Sequence, residues 1–228
     1  MKEIQALPRV TVEGVDADEF LHLTDVQVVQ RLDAPAQCEL TWRTATVDST
    51  ALRHTAPEPG RHLSVSVEAQ PGPLFVGEIT GVEHLHDPSG GYGLRVRAYD
   101  ELGRLQQRQT VRTHVEVTTA ELVRTLAGEA GLTVASVADG PIWPRVVPRY
   151  PHDLALLRHY AARSGLHFVF QDGQLRLFAP GDTANSPVLE LTLGGDLFEA
   201  RVEQNAVQPV DSVHVLGWDP HSGESREI

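Results

Sequence analysis

Residues 150–178 constrain the fold most strongly, because they combine a capped helix, a glycine stop and a tight hairpin in one short stretch. Asp153 occupies the position expected of a helix N-cap, and Gly165 occupies that of the left-handed residue that ends a helix. The apolar residues between them recur at helical spacing: Leu154, Leu157 and Ala161. The spacing therefore predicts an amphipathic helix that buries one face.

A β-hairpin is predicted directly after this helix. Leu166 and Phe168 belong to a first apolar run, and Leu175 belongs to a second. The Asp172 and Gly173 pair between the two runs is the strongest short hairpin signal that a sequence can carry. The helix therefore leads into a two-stranded ribbon.

This segment resembles the phage late control protein D and VgrG family, the hub and spike proteins of contractile tails, type VI secretion systems and related injection particles. The family pattern is matched at Tyr150, Asp153, Leu154, Leu157, Ala161, Gly165, Leu166, Phe168, Asp172, Gly173 and Leu175. His152 departs from the pattern, since the family more often has Glu or Ser there.

Two further stretches carry the same resemblance, so that it covers most of residues 70–180. In the first, a predicted strand is followed by a partner strand that ends at Asp100. The apolar and glycine positions of this pair are Phe75, Gly77, Ile79 and Val82, then Leu94, Val96 and Ala98. In the second, Thr118 and Glu121 have the spacing of a helix capping box, and Gly131 follows the apolar face.

The strand and turn pattern predicts three parts. Residues 1–112 carry six short strands, which favour an antiparallel barrel or sandwich. Residues 113–195 read as an α+β insertion with two helices and hairpins. Residues 196–228 start a further β unit that is not finished. By resemblance, the fold is α+β and mainly β: a tube-type antiparallel β-barrel, the insertion, and the first strands of a second, related barrel, whose opening motif includes Gly217, Trp218 and Asp219.

Composition excludes several classes of protein. No apolar run is long enough for a membrane helix, and the N-terminal residues lack the apolar core of a signal peptide, so we expect a cytoplasmic chain without membrane insertion. The single cysteine, Cys38, cannot form an internal disulfide and is predicted to be a buried strand residue.

The charge balance argues against specific nucleic-acid binding. Nineteen basic and 31 acidic residues give a net charge of −12, which opposes affinity for phosphate backbones. Five arginines cluster locally without the interleaved aromatic platform that single-strand binders require, and a solvated strand face or a protein interface is the better interpretation. They are the candidate intersubunit surface: Arg95, Arg97, Arg104, Arg108 and Arg112.

Two groups of histidines are candidates for chemistry. His84, His86 and Asp87 lie at a predicted strand end and could offer ligands to a metal, but no spacing indicates a fourth ligand. The second group flanks the predicted helix: His152, Asp153 and His159. There Asp153 is better used as the helix cap.

No other motif indicates catalysis. The carboxylates Asp16, Asp18 and Glu19 lie in a polar loop, where solvation is the simpler interpretation. The sequence has no Gly-x-Ser-x-Gly and no Gly-Lys-Ser/Thr motif. We therefore expect a chain that is not an enzyme, without catalytic residues, cofactor or metal.

The resemblance implies a structural role. It predicts a baseplate hub or spike protein that forms a homotrimer and adapts a sixfold inner tube to a threefold spike. The implied partners are inner-tube subunits, baseplate wedge proteins and a spike tip protein, in a particle assembled in the bacterial cytoplasm. The alternative is the targeting half of a spike protein that carries a C-terminal cell-wall hydrolase or effector domain. A monomeric β-rich ligand-binding domain is a third interpretation.

Overall fold

The computed structural model describes residues 8–13, 22–44, 57–67, 72–86, 88, 91–182, 191–195, 199–202, 212, 214–219 and 222–227. The chain divides into two compact units, Met1–Ala184 and Asn185–Ile228. No helix within the described ranges has the length and apolar composition needed to cross a membrane.

The first unit opens with six strands in one antiparallel sheet. They are β1 (Pro8–Val12), β2 (His22–Val29), β3 (Gln37–Thr44), β4 (His62–Val67), β5 (Pro73–His86) and β6 (Tyr92–Tyr99). The sheet order is β1-β4-β5-β6-β3-β2, and the sheet curls into a half-barrel. The predicted fold class, mainly β with an antiparallel barrel-type sheet, is confirmed, and each of the six predicted strands is present.

One face of this sheet forms its own hydrophobic core. Alternate residues of the central strands are buried, as expected of a sheet with one covered face. They include Cys38, Leu40, Trp42, Leu63, Val65, Phe75, Ile79, Leu94, Val96 and Ala98. Gly77 sits at a close approach on β5, where a Cβ atom would overlap the backbone carbonyl oxygen of Tyr99.

Cys38 is a buried strand residue, as predicted, with no exposed surface. Burial, followed by the negative charge of Glu39, raises the pKa of its thiol to about 12. The reactive thiolate is therefore almost absent at neutral pH.

We expect Cys38 not to react with a thiol reagent in the native chain, and to react with one equivalent after unfolding in urea. Rapid modification of the native chain would contradict the buried placement of Cys38.

The α+β part of the first unit follows. Its elements are a 3₁₀ helix (Glu101–Gln106), β7 (His114–Thr118), α1 (Thr119–Glu129), β8 (Thr133–Val137), β9 (Ile142–Val146), α2 (Asp153–Arg163), β10 (His167–Gln171), β11 (Gln174–Phe178) and a 3₁₀ turn (Pro180–Asp182). One sheet has the order β10-β11-β8, and β7 pairs with β9. A second hydrophobic core joins both helices to this sheet through residues that include Leu122, Leu126, Leu154, Leu157, Leu166, Phe168 and Leu175.

The structure confirms three local features that the sequence predicts. Thr118 and Glu121 make a reciprocal capping box at the start of α1. Gly165 follows α2 with φ +66°, the left-handed conformation that a side chain would strain. Asp172 and Gly173 both have positive φ and form the two-residue turn between β10 and β11.

The predicted cap of α2 is wrong. The N-cap is His152, whose Nδ1 accepts a hydrogen bond from the amide of Ala155 at 3.1 Å. Asp153 is the first helical residue and is almost fully buried. Its carboxylate accepts a hydrogen bond from the amide of Thr110, which lies 43 positions away along the chain. A sequence pattern that considers only the helix itself cannot detect this partner.

The second unit contains a two-stranded antiparallel hairpin, β12 (Leu216–Asp219) and β13 (Glu224–Glu227). Gly217, Trp218 and Asp219 lie on β12. Leu216 and Trp218 share one face of the strand and are 77% and 68% exposed. That this hairpin opens a second barrel stays a prediction, as do the boundaries at residues 112 and 195.

Candidate functional site

Asp33 connects the six-stranded sheet to the α+β part. It lies in the turn between β2 and β3 with φ +60°. Its carboxylate accepts hydrogen bonds from the amide of Phe168 at 2.8 Å and from Nδ1 of His167 at 2.6 Å. Its own amide donates to the carbonyl of Phe168 at 2.9 Å. Arg158 on α2 donates twice to the Asp33 carbonyl, at 3.0 and 2.8 Å. One turn residue therefore holds both β10 and α2.

Asp153 makes a second connection, which lies within the α+β part. Its carboxylate accepts from the amide of Thr110 at 2.6 Å and from the Thr110 hydroxyl at 3.3 Å. The Nε of Arg108 lies 3.6 Å from the same carboxylate. The amide of Asp153 donates to the Arg108 carbonyl at 2.8 Å. The start of α2 is thus fixed to the segment that leaves the first 3₁₀ helix.

Asp100 makes the third. It follows β6, and its carboxylate accepts from the amide of Leu102 at 3.0 Å, as cap of the 3₁₀ helix, and from the amide of Ala36 at 2.9 Å. We call Asp33, Asp100 and Asp153 together the aspartate joint. Sequence analysis singled out two of these residues but missed Asp33. Their hydrogen bonds hold the sheet and the α+β part as one preformed surface.

The joint is sensitive to pH through Asp100. Burial raises the pKa of its carboxyl to about 6, although hydrogen bonds from Ala36, Leu102 and Gly103 lower it. The unfolded chain releases this proton near its ordinary pKa of 3.8, whereas the folded chain retains it up to about 6. The stabilising contribution of Asp100 is therefore full below about pH 4 and is lost as the pH rises to about 6.

We expect this contribution to be at most about 3 kcal/mol, from the conversion of a pKa shift to free energy. The measurement compares urea unfolding of the native chain and of Asp100→Asn at pH 4 and pH 7. The native chain should lose more stability than the variant over this interval. Equal losses in the two chains would show that Asp100 does not titrate differently on folding.

The five clustered arginines separate into three ion-pair groups. Arg95 lies 3.3 Å from Glu39 and 3.2 Å from Glu83, and Arg97 lies 3.5 Å from Glu39. These pairs line up across β3, β5 and β6 on the sheet face opposite its core. That face is therefore a ladder of paired charges that are exposed or half-buried.

The other three arginines lie in the α+β part. Arg104 pairs with Glu101 at 3.1 Å within the 3₁₀ helix. Arg108 and Arg112 share Glu129 at 3.2 and 2.6 Å. All five arginines thus have acidic partners in their own chain, and contact with another subunit stays a prediction.

A row of aromatic rings on the α+β part was not predicted as a unit. Tyr150 packs against His159, His159 against Tyr160, and Tyr160 against Trp143, with centroid separations of 5.0, 5.1 and 5.0 Å. The guanidinium of Arg163 lies 4.6 Å from the Trp143 ring centroid. Tyrosine, tryptophan and arginine are the residue types enriched in binding hot spots. Their separation in sequence, across β9 and α2, left no local signal.

The candidates for chemistry are engaged in structural contacts or lie outside the described residues. His84 hydrogen-bonds to the Tyr92 hydroxyl, and His86 packs edge-on against the Tyr92 ring. Asp87, Asp16, Asp18 and Glu19 lie outside the described residues. Among the residues that the structure covers, no three histidine, cysteine or acidic side chains are grouped to hold a metal ion.

Comparison with known proteins places the fold. The family model described as the Alg8 N-terminal domain matches residues 5–228. No curated protein sequence matches the chain significantly.

Several solved structures are similar at low sequence identity. The 43 kDa tail protein of prophage MuSo2 from Shewanella oneidensis has a TM-score of 0.57 at 16% identity, over 75% of this chain and 55% of that one. The E. coli c3393 protein is described as a component of the type VI secretion system with structural similarity to the T4 bacteriophage tail proteins gp27 and gp5. It has a TM-score of 0.55 at 16% identity, over 74% and 48%. A tail protein from Neisseria meningitidis MC58 has a TM-score of 0.52 at 18% identity, over 75% and 50%.

The chain spans about half the length of these solved proteins. The fold is that of phage tail and type VI secretion proteins.

Proposed function

This chain belongs to the Alg8 N-terminal domain family, and we propose that it serves as a structural baseplate hub or spike protein of a contractile injection system. The observation that carries the proposal is the tail-protein fold, which extends over three quarters of the chain with a TM-score of 0.57. The resemblance of residues 70–180 to the late control protein D and VgrG family supports the same role at the level of sequence.

The geometry of the first unit suits such a role. A hub must present a preformed surface on which other proteins assemble, and the aspartate joint fixes the sheet to the helices. The charged face of the sheet supplies polar surface, whereas the aromatic row packs against the core of the α+β part and helps to keep that part rigid. In this proposal three copies form a closed ring by repeating one interface.

The proposed partners follow from this position in a particle. They are further copies of the chain, inner-tube subunits, baseplate wedge proteins and a spike tip protein. Assembly takes place in the bacterial cytoplasm, and the chain contributes contacts rather than catalysis. The contractile system can be phage-like, extracellular or of the type VI secretion kind.

Two measurements on the native protein test the proposal. Light scattering on the full-length protein should give three times the chain mass. Deletion of the gene in the producing bacterium should remove assembled particles from electron micrographs, and a plasmid copy should restore them. Normal particles in the deletion strain would overturn the hub role. A monomeric full-length protein across micromolar to millimolar concentration would overturn the trimer.

A further inference from the structure

A cleft of about 610 Å³ lies between the six-stranded sheet and the β10–β11 hairpin. One wall is the start of β5, including Leu74 and Val76, and the other is β10 from Val169 to Gln171. Its volume falls within the range of roughly 300–1,000 Å³ that is usual for binding clefts. Val76 is 53% exposed, so the wall contributed by β5 offers apolar surface.

The β10 wall is the free edge of a sheet, because the strand order is β10-β11-β8. The two-residue turn makes Gln171 and Gln174 a hydrogen-bonded pair, and pairs of this type alternate along a hairpin. Phe168 and Phe170 are therefore the residues whose backbone amide and carbonyl point away from β11. Asp33 satisfies both groups of Phe168. No described residue forms a hydrogen bond with the backbone amide or carbonyl of Phe170.

The charges of the cleft are mainly acidic. Asp100, Glu101 and Asp172 line it against a single guanidinium, that of Arg31. Asp100 is committed to backbone amides, and Glu101 pairs with Arg104 at a partly exposed position. Asp172 has no ion pair within the described ranges and lies at the exposed hairpin turn. A segment that enters the cleft therefore gains from a positive charge.

We propose that this cleft binds an extended segment of another protein, which adds as a strand to β10 beside Phe170 and carries a lysine or arginine toward Asp172 and Glu101. Strand addition to an exposed edge is a general mode of peptide recognition, in which main-chain hydrogen bonds give affinity and side chains give specificity. Asp33 already makes the first such contact at Phe168. This inference rests on the proposed function, which supplies the partner as another protein of the particle.

The test uses two synthetic peptides and the native chain. Each peptide has nine residues of alternating threonine and valine with blocked ends, and the central residue is arginine in one and glutamate in the other. Amide spectra and hydrogen exchange at Phe170 report pairing at the edge. We expect the arginine peptide to slow exchange of the Phe170 amide and to bind at least about tenfold more tightly than the glutamate peptide.

Two variants locate the effect. In Glu101→Gln combined with Asp172→Asn, the preference for arginine should fall to about threefold or less, because both charges are removed while the turn conformation is kept. Asp139→Asn removes an exposed carboxylate outside the cleft and should leave the preference unchanged.

Three results would overturn the inference. One is the absence of protection at Phe170 with either peptide, and another is equal binding of the two peptides. The third is concentration-dependent protection in the chain alone, which would assign the cleft to a second copy. Particle loss on gene deletion without peptide binding would leave the hub role intact and remove only the cleft. Peptide binding with normal particles in the deletion strain would do the reverse.

Discussion

Replacing Gly77 by alanine should destabilise the six-stranded sheet more than adding a single methyl group at any other position in it. A Cβ atom at this position would overlap the Tyr99 carbonyl oxygen and would lie 2.5 Å from the Phe75 ring and 2.7 Å from the Tyr99 carbonyl carbon. A backbone carbonyl held in a sheet cannot move aside as a flexible side chain can. We expect a loss of about 3 kcal/mol or more, by the cost of overpacking a core, and a fall in melting temperature of about 10 °C.

Gly81 provides the matched control, because it lies on the same strand and no atom lies within 4 Å of the position that a Cβ atom would take there. Alanine there should be neutral or slightly stabilising, since it restricts the unfolded chain. Urea unfolding followed by the fluorescence of buried Trp42 measures both variants. Similar stabilities for the two variants would show that β5 can shift away from β6 at Gly77.

Replacing Asp153 by alanine should have the second large effect. The change leaves the buried amide of Thr110 without its acceptor and Arg108 without its nearest buried charge. An unsatisfied buried donor, together with the loss of an ion pair that is buried on the aspartate side only, costs about 3 kcal/mol. We expect this loss in the free energy of unfolding, measured in urea at pH 7, with the change centred on the α+β part.

His152→Ala distinguishes this role from helix capping. His152 is the residue that caps α2, and loss of a cap costs about 1 kcal/mol. Asp153→Ala should therefore be the more damaging of the two changes by a factor of about three. If His152→Ala costs as much as Asp153→Ala, the connection to Thr110 contributes little to stability.

The elements that sequence analysis predicted well depend on neighbours in the chain. The capping box of Thr118 and Glu121 spans three positions, and the Asp172 and Gly173 turn requires two. The six strands follow from alternation of apolar residues within each strand. Each of these patterns is complete within about ten residues, so the physical cause is visible without a structure.

The parts that sequence analysis missed depend on contacts between distant segments. Asp33 reaches Phe168 across 135 positions, and Thr110 reaches Asp153 across 43. An aspartate in a polar turn has many equivalent uses, and no local pattern selects the one it adopts. For the same reason, the residues of the aromatic row are not recognisable as a group in the sequence. The free edge of β10 also depends on the order of strands, which a list of strands does not contain.

The order β1-β4-β5-β6-β3-β2 sets a sequence of events while the chain is being made on the ribosome. Of the six strands of this sheet, β1 and β2 come first along the chain and form its two edges, and the central neighbour of β3 is β6. Non-local pairing of this kind is slow to form. β3 therefore lacks its central neighbour until Tyr99 has left the exit tunnel. In this interval the unpaired edges of the early strands are open to pairing with other nascent chains.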